Sequence, residues 1–214
     1  MIVAIDGGVA SGKSAVGRRV AERLGLPFVD SGLMYRAITR LAAERGVDAH
    51  DAAAVSALAE NTDLRIDGER IWADSTELTE GIYDTDYMDE LPVISATAGV
   101  RRALVERQRR MGRSGVVMAG RDIGTVVFPA AAHKFFLVAS LDEKVRRRAA
   151  QYERRGEHVD EEAMRKEVEA RDKVDMERAI APLRPAGDAT VIDTDRLELD
   201  EVVDRIVDQV RGSR

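Results

Sequence analysis

The stretch IVAIDGGVASGKSAVGRRV, residues 2–20, decides the fold class of this 214-residue chain. It begins with a short apolar run, which is typical of a buried strand. A glycine-rich segment follows and matches the pattern G-x-x-x-x-G-K-[ST] from Gly7 to Ser14. Apolar residues then recur at helical spacing, at Val16 and Val20. Strand, glycine loop and helix in this order predict a phosphate-binding loop at the N-terminal end of a helix.

Each residue type in this loop has a chemical role in phosphate binding. Glycines allow several backbone N–H groups to point at one anion. Lys13 can bind the β- and γ-phosphates of a nucleotide, and the hydroxyl of Ser14 can bind Mg²⁺. The motif therefore predicts a nucleoside triphosphate site but no particular reaction. The alternative is a glycine-rich turn that binds nothing.

The rest of the chain alternates short apolar strands with helices. Such alternation predicts a parallel sheet with helices on both faces. Residues 64–74 differ, because apolar and polar residues alternate there around Asp67-Gly68, which indicates an antiparallel hairpin. The segment at 115–125 is predicted as a buried strand followed by a loop.

The composition excludes several classes of function. The chain has no cysteine, which rules out disulfides, thiolate nucleophiles and zinc–thiolate sites. A net charge of −6 and an aromatic content of 4% argue against a nucleic-acid or anionic membrane partner. We find no signal peptide and no stretch of transmembrane length. We therefore expect a cytoplasmic, soluble monomer with small-molecule partners.

Arginines after the loop indicate a second, anionic ligand. Guanidinium groups bind phosphate in a bidentate manner and neutralise a transferring phosphoryl group. The candidates are Arg36, Arg101, Arg121, Arg147, Arg148, Arg171 and Arg178. In contrast, ordinary surface ion pairs are expected for Arg146, Arg154, Arg155 and Arg165.

Three of these arginine-bearing segments are the most informative about the second ligand. The segment DSGLMYR (30–36) follows the second predicted strand. The segment GRDIGT (120–125) follows a buried strand, at the edge where ligands bind in such sheets. Arg171, Asp175 and Arg178 share one face of a predicted helix. An intrahelical ladder of ion pairs would give the same pattern, and the sequence leaves this alternative open.

Four segments together resemble bacterial cytidylate kinase: IDGGVASGKS, DSGLMYR, GRDIGTVVFP and RDKVDMERAIAPLRPAGDATVIDT. The resemblance implies the α/β fold of P-loop nucleoside monophosphate kinases. This fold has a five-stranded parallel core with helices on both faces, an enlarged monophosphate-binding insert with a small antiparallel element, and a mobile helical lid. The implied core is about 1–35, 95–140 and 180–214, the insert about 36–94, and the lid about 145–175.

The resemblance also implies a reaction, the transfer of the γ-phosphate of ATP to CMP or dCMP with Mg²⁺. The implied ATP-binding residues are Gly7, Gly8, Val9, Ala10, Ser11, Gly12, Lys13, Ser14 and Ala15, of which Ser14 also binds the metal. The implied CMP-binding residues are Ser31, Arg36, Arg101, Arg121, Asp122, Arg171, Asp175 and Arg178. The implied catalytic residues are Lys13, Arg121, Arg147 and Arg178. Transfer is expected to be direct and in line, without a covalent enzyme intermediate.

Selection of cytosine over uracil requires an acceptor for its amino group and donors for N3 and O2. Asp122 and Arg101 can supply these groups, as the resemblance also implies. The alternative is that Asp122 only pairs with Arg121 or Arg101 to hold its loop. One position departs from the family. A base-contacting serine is usual about eight residues before the Val-Arg pair that ends at Arg101, but here Pro92 stands there and Ser95 follows.

Two other functions stay open on the sequence alone. The first is another small-molecule P-loop kinase, acting for example on AMP or shikimate, against which the GRDIGT segment and the hairpin argue. The second is a nucleotide-regulated binding protein without an acceptor substrate, against which the acceptor-side arginines argue.

Overall fold

The computed structural model describes residues 1–83, 85–153, 156 and 160–212. Its strands are β1 (Ile2–Gly7), β2 (Phe28–Asp30), β3 (Leu64–Asp67), β4 (Arg70–Ala73), β5 (Thr76–Glu77), β6 (Val116–Gly120), β7 (His133–Val138) and β8 (Thr190–Asp193). Its α-helices are α1 (Lys13–Leu24), α2 (Ser31–Glu44), α3 (Ala52–Asn61), α4 (Leu91–Ala96), α5 (Ala98–Met111), α6 (Leu141–Glu153), α7 (Glu161–Glu177) and α8 (Leu199–Gly212). A 3₁₀ turn covers Thr85–Glu90, and a π-helical turn covers Ile123–Val127.

Five strands form a parallel sheet in the order β2-β6-β1-β7-β8. Because side chains alternate along a strand, Val3 and Ile5 of β1 pack against α1 and α8, whereas Ala4 faces the opposite layer. That opposite layer contains Met118 of β6 and Val105 of α5. Helices therefore cover both faces of the sheet, and the predicted fold class is confirmed.

A second, antiparallel sheet has the order β3-β4-β5. The β3–β4 hairpin closes at the pair Asp67 and Arg70, and Gly68 in the turn has a φ of 60°, a conformation that favours glycine. The predicted hairpin is thus confirmed. Its buried residue Ile71 packs with Ile38 of α2 and Leu104 of α5 in the largest apolar cluster of this part of the protein.

The charged helices α6 and α7 pack together through a small apolar cluster of Val145, Met164 and Val168. Residues 154, 155 and 157–159 of the segment assigned to the lid lie outside the described residues. Nowhere in the described part of the chain does a helix combine the length and apolar character needed to cross a membrane.

The carboxyl ends of the parallel strands lie at one edge of the sheet. The glycine loop follows β1 there, α2 follows β2, and the π-helical turn follows β6. The prediction of a loop after β6 was wrong, because residues Ile123–Val127 form a π-helical turn. The first two N–H groups of this turn bind the carboxylate of Asp6. The same edge therefore brings together the segments that carry most of the predicted site residues.

Candidate functional site

The phosphate loop, residues 8–12, connects β1 to α1 by a tight turn. Ala10 and Gly12 have φ angles of 52° and 87°, in the left-handed region. A Cβ atom on Gly7 would lie 2.7 Å from the carbonyl oxygen of Leu137, so the backbone passes too close to β7 for a side chain. The end of β1, this loop and the first turn of α1 contain every residue predicted to bind ATP.

Lys13 begins α1 and turns its ammonium group back into the loop. Its Nζ atom donates to the carbonyl oxygen of Gly8 at 2.9 Å. Burial, together with the positive charge of Arg121, lowers the pKa of Lys13 to about 7. An anion bound in the loop would favour the charged form of this lysine, which is the effect expected at a site that binds phosphate.

The hydroxyl of Ser14 donates to Oδ2 of Asp30 at 2.6 Å. Asp30 ends β2 and caps α2, where its Oδ1 accepts from the backbone N–H of Gly32 at 2.9 Å. A hydroxyl and a carboxylate side by side are oxygen ligands of the type that Mg²⁺ prefers, and this ion retains several water ligands. These two side chains therefore fit a magnesium site.

Asp175 on α7 is the centre of a cluster on the acceptor side. Its Oδ2 accepts from Nε of Arg121 at 2.8 Å and lies 3.8 Å from Nε of Arg171, while Oδ1 lies 3.5 Å from Nη1 of Arg178. Burial alone would raise the pKa of Asp175, but the three guanidinium groups outweigh burial and hold the pKa below its usual value. An intrahelical ladder accounts for only part of this cluster, because Arg121 comes from the end of β6.

Positive charge exceeds negative charge around this cluster. Burial, with repulsion from Arg148 and Arg171, lowers the pKa of Arg36 to about 10. The guanidinium carbon of Arg36 lies 4.7 Å from the ring centre of Tyr83. Burial also lowers the pKa of Arg178, whose Nη2 atom is buried without a hydrogen-bond partner. Buried guanidinium groups in mutual repulsion are stabilised by an anionic ligand.

A further buried ion pair joins Nη2 of Arg101 to Oδ2 of Asp122, and the two side chains are only 4% and 6% exposed. Nη1 of Arg101 donates to the carbonyl oxygen of Ser95 at 3.0 Å. The Ser95 hydroxyl in turn donates to the carbonyl oxygen of Pro92 at 3.2 Å. The ion pair is compatible with both hypotheses for Asp122, a contact with the base and a contact that holds its loop.

Two other predicted site residues form hydrogen bonds with partners other than Asp175. The hydroxyl of Ser31 donates to the carbonyl oxygen of Ala119 at 2.9 Å and ties the start of α2 to β6. Arg147 on α6 donates to the hydroxyl and carbonyl oxygens of Thr194 at 3.0 and 2.8 Å. Its Nη1 would lie 3.6 Å from a Cβ atom on Gly12. The structure thus places Arg147 beside the phosphate loop and not with the acceptor-side arginines.

Comparison with known proteins identifies the family, because the model of the cytidylate kinase family matches residues 3–212. The chain belongs to the cytidylate kinase family. The cytidylate kinase of Anoxybacillus flavithermus is 42% identical over 210 residues, which cover 96% of this chain and 93% of that protein. The predicted family is therefore confirmed.

Members of this family also occur within longer proteins. The bifunctional pantoate ligase/cytidylate kinase of Synechococcus sp. (strain JA-2-3B'a(2-13)) is 46% identical over 214 residues and 96% of this chain. The chain spans 40% of that relative's length. Among solved structures, shikimate kinase from Bacteroides thetaiotaomicron is similar with a TM-score of 0.51 and 14% identity, over 99% of this chain and 98% of that one. This last likeness concerns the fold alone.

Three aspartates of this cytidylate kinase family member belong to the site but were missed from the sequence. Asp30 faces Ser14, and Asp6 accepts from two N–H groups of the π-helical turn at 2.8 and 2.7 Å. Burial raises the pKa of Asp6 to about 6. Asp30 ends β2 and Asp6 is the second-last residue of β1, and a position at the carboxyl end of a parallel strand is a signal that could have found both. Asp172 on α7 gives no such signal, because its partner, the N–H of Val9, lies 163 residues away.

The arginines expected on the surface behave as predicted where the structure describes them. Arg146 and Arg165 form ion pairs with carboxylates of α6 at 2.6 Å, and the Arg146 side chain is 71% exposed. Pairs of this kind contribute little to stability. Arg154 and Arg155 lie outside the described residues.

Proposed function

We propose that this chain transfers the γ-phosphate of ATP to CMP or dCMP. Membership of the cytidylate kinase family supports this reaction. The observation that carries it is the surplus of buried arginine around Asp175, outside the phosphate loop. A phosphate loop alone is compatible with hydrolysis or a nucleotide switch, whereas a second cationic site is what a second anionic substrate needs.

On the donor side, Lys13 binds the β- and γ-phosphates and the loop amides surround them. Ser14 and Asp30 would hold Mg²⁺, which would supply positive charge near the donor phosphates. Arg147, next to Gly12, adds charge near the donor phosphates. The side chains of this region therefore bind and orient the donor.

On the acceptor side, Arg36, Arg121 and Arg178 bind the phosphate of CMP. Asp175 accepts from the ribose hydroxyls, and Arg171 orders Asp175. An oxygen of the CMP phosphate attacks the γ-phosphorus, the bond from that phosphorus to the bridging oxygen breaks, and ADP leaves. Catalysis then consists of positioning and charge neutralisation, without a covalent enzyme intermediate.

The Arg101–Asp122 pair selects the base in this proposal. Asp122 accepts from the amino group of cytosine, and Arg101 donates to N3 and O2. A uracil base would place a carbonyl oxygen against the carboxylate of Asp122, and two acceptors in a buried site repel each other.

We further propose that the segment at about 145–175 is a lid on a core of about 1–35, 95–140 and 180–214, with an insert at about 36–94. The small apolar cluster between α6 and α7 supports this, because few apolar contacts permit movement. Closure excludes water and limits hydrolysis of ATP. Proteolysis within the lid is expected to slow when ATP and CMP analogues are both present, and equal cleavage with and without them contradicts closure.

The proposed reaction is tested by measuring ADP release with CMP, dCMP, UMP, AMP and shikimate as acceptors, and without acceptor. We expect the highest kcat/KM with CMP or dCMP and little ADP without acceptor. Preference for AMP or shikimate would identify another small-molecule kinase. Failure of every acceptor, with no binding of CMP in the absence of ATP, would favour a nucleotide-regulated binding protein.

A further inference from the structure

One peptide group of the phosphate loop is bound at both ends by charged side chains. The carbonyl oxygen of Gly8 accepts from Nζ of Lys13 at 2.9 Å. The N–H of Val9 belongs to the same peptide group and donates to Oδ1 of Asp172 at 2.8 Å. Because a peptide group is planar, a contact that fixes the N–H also fixes the direction of the C=O.

Asp172 reaches this peptide from the helix pair α6 and α7. It lies on α7 and is only 7% exposed, and its Oδ2 accepts from Nζ of Lys144 on α6 at 2.6 Å. A Cβ atom on Gly8 would lie 2.7 Å from Oδ1 of Asp172, so the close approach requires glycine at this position. The carboxylate is thus buried against the loop and paired with a cation.

The side chain of Val9 strengthens the same junction. It packs against the apolar cluster of Val145, Met164 and Val168 between α6 and α7. The helix pair therefore holds Val9 twice, through its backbone N–H and through its side chain. Polar and apolar contacts at one residue make the docking of the helices sensitive to the conformation of the loop.

The other end of the peptide group holds Lys13. Hydrogen bonds in series polarise one another, so a carboxylate on the N–H makes the C=O a better acceptor. The position of Lys13 thus depends on Asp172.

We propose that Asp172 is a positioning residue for Lys13. It fixes the peptide group between Gly8 and Val9 from the side of α7 and so couples the docking of α6 and α7 to the alignment of Lys13 with the donor phosphates. Asp172 acts through the peptide group. The kinetic part of this proposal rests on the proposed function, whereas its structural part concerns the loop alone.

The kinetic test compares Asp172→Ala and Asp172→Asn with Glu169→Ala, which removes an exposed carboxylate of the same helix. Alanine removes the acceptor, whereas the asparagine carbonyl can still accept from Val9. We expect Asp172→Ala to raise KM for ATP and lower kcat by about tenfold each, with KM for CMP within about threefold. Asp172→Asn should recover most of kcat, and Glu169→Ala should match the wild type. Equal changes in both KM values, or no change in either, would overturn the proposal.

A second readout does not depend on the reaction. Hydrogen exchange of the Val9 amide, measured by NMR without nucleotide, should be at least about tenfold faster in Asp172→Ala, while exchange at Ala4 in β1 stays unchanged. Calorimetry should show about tenfold weaker binding of ATP by this variant. Unchanged exchange at Val9 overturns the proposal even if CMP is phosphorylated. Faster exchange with weaker ATP binding supports it even if CMP is not the acceptor.

A variant of the partner lysine covers the case in which Asp172→Ala does not fold. Lys144→Met removes the ammonium group that holds Oδ2 and leaves the carboxylate in place. It should raise KM for ATP and speed exchange at Val9, by less than removal of the carboxylate does. A Lys144→Met protein with wild-type exchange and wild-type KM for ATP would then contradict the proposal.

Discussion

The phosphate loop and the cluster around Asp175 both place cationic side chains in or near the protein interior, but the chain builds them differently. The loop uses the consecutive residues 8–12, between β1 and α1. The cluster uses side chains from α2, α7 and the end of β6, from Arg36 to Arg178. A loop that surrounds an anion needs a specific local backbone, which a short motif encodes. A cluster of arginines needs only that the fold brings their charges together.

The two regions also hold their charge differently. Lys13 is one buried ammonium group whose pKa is lowered to about 7, chiefly by burial. In the cluster, Arg121, Arg171 and Arg178 share the carboxylate of Asp175. We therefore expect the donor site to depend on one residue and the acceptor site to depend on a network.

The largest effect should come from Lys13→Ala. This variant should lower kcat/KM by about three orders of magnitude or more, because it removes the buried ammonium group of the phosphate loop. Circular dichroism and the melting temperature should stay close to the wild type. Lys166→Ala removes a lysine from an exposed pair with Glu162 and is the matched control. Near-normal turnover of folded Lys13→Ala would contradict the expectation that the donor site depends on one residue.

Asp6 is the second-last residue of β1, next to the phosphate loop, and its carboxylate binds the turn that follows Asp122. Burial raises its pKa from 3.8 to about 6. Between these values the folded protein retains a proton that the unfolded chain has released, so the contribution of Asp6 to stability falls as the pH rises. The free energy of unfolding of the wild type relative to Asp6→Asn should fall by about 2 kcal/mol between pH 4 and 7.

Urea unfolding of both proteins at several pH values measures this difference. Titrating groups that do not interact with Asp6 contribute equally in the two proteins, so their contributions cancel. A difference that does not vary with pH would show that Asp6 titrates at its ordinary pKa.

Asp175→Ala separates a substrate site from a surface ladder. Loss of the shared carboxylate should lower kcat/KM for CMP by about 100-fold, with KM for ATP nearly unchanged. If Asp175 belongs only to a ladder of ion pairs on the helix, the variant should lower the free energy of unfolding by at most about 0.5 kcal/mol and lose no activity. Asp142→Ala is the control, because Asp142 is 82% exposed and pairs with Arg165 on the surface. An equal loss for ATP and CMP would show that the cluster is not separate from the donor site.

The smallest effect concerns the choice of base. The amide of Asp122→Asn can donate to the carbonyl of uracil, so this variant should lower kcat/KM for CMP much more than for UMP. The ratio of the two values should narrow by at least about tenfold, which corresponds to about 1.4 kcal/mol. Arg101 remains in place as a donor. If both substrates lose the same factor, Asp122 supports the site without selecting the base.

Most of the fold could be predicted from local patterns. The apolar runs at β1, β6 and β7 and the Asp67-Gly68 turn depend on neighbours in the sequence, and they were found. The helix α4 and the 3₁₀ turn before it were not, because residues 85–96 show no clear periodicity. The segment Ile123–Val127 was expected to be a loop. It forms a π-helical turn whose first N–H groups bind the carboxylate of Asp6, and this distant contact could not be predicted from neighbouring residues.

The candidate site divides in the same way. The residues of the acceptor cluster could be named through the family resemblance, but their partners could not. Asp175 was expected beside Arg171 and Arg178, and the fold adds Arg121 from 54 residues away. Arg147 was expected to reach the transferring phosphate, which stays a prediction, and its hydrogen bonds to Thr194 beside the phosphate loop could not be read from the sequence.

By itself, the sequence determined the glycine-rich loop at the N-terminal end of α1, because the backbone geometry of such a loop is a property of consecutive residues. It also determined the parallel sheet and the hairpin, which follow from the period of apolar residues. Only the tertiary structure decided that Asp30 faces Ser14 and that Asp172 binds the peptide group beside Lys13. Hydrogen bonds between residues far apart in the chain depend on distances of a few tenths of an ångström, and only the packed fold sets these distances.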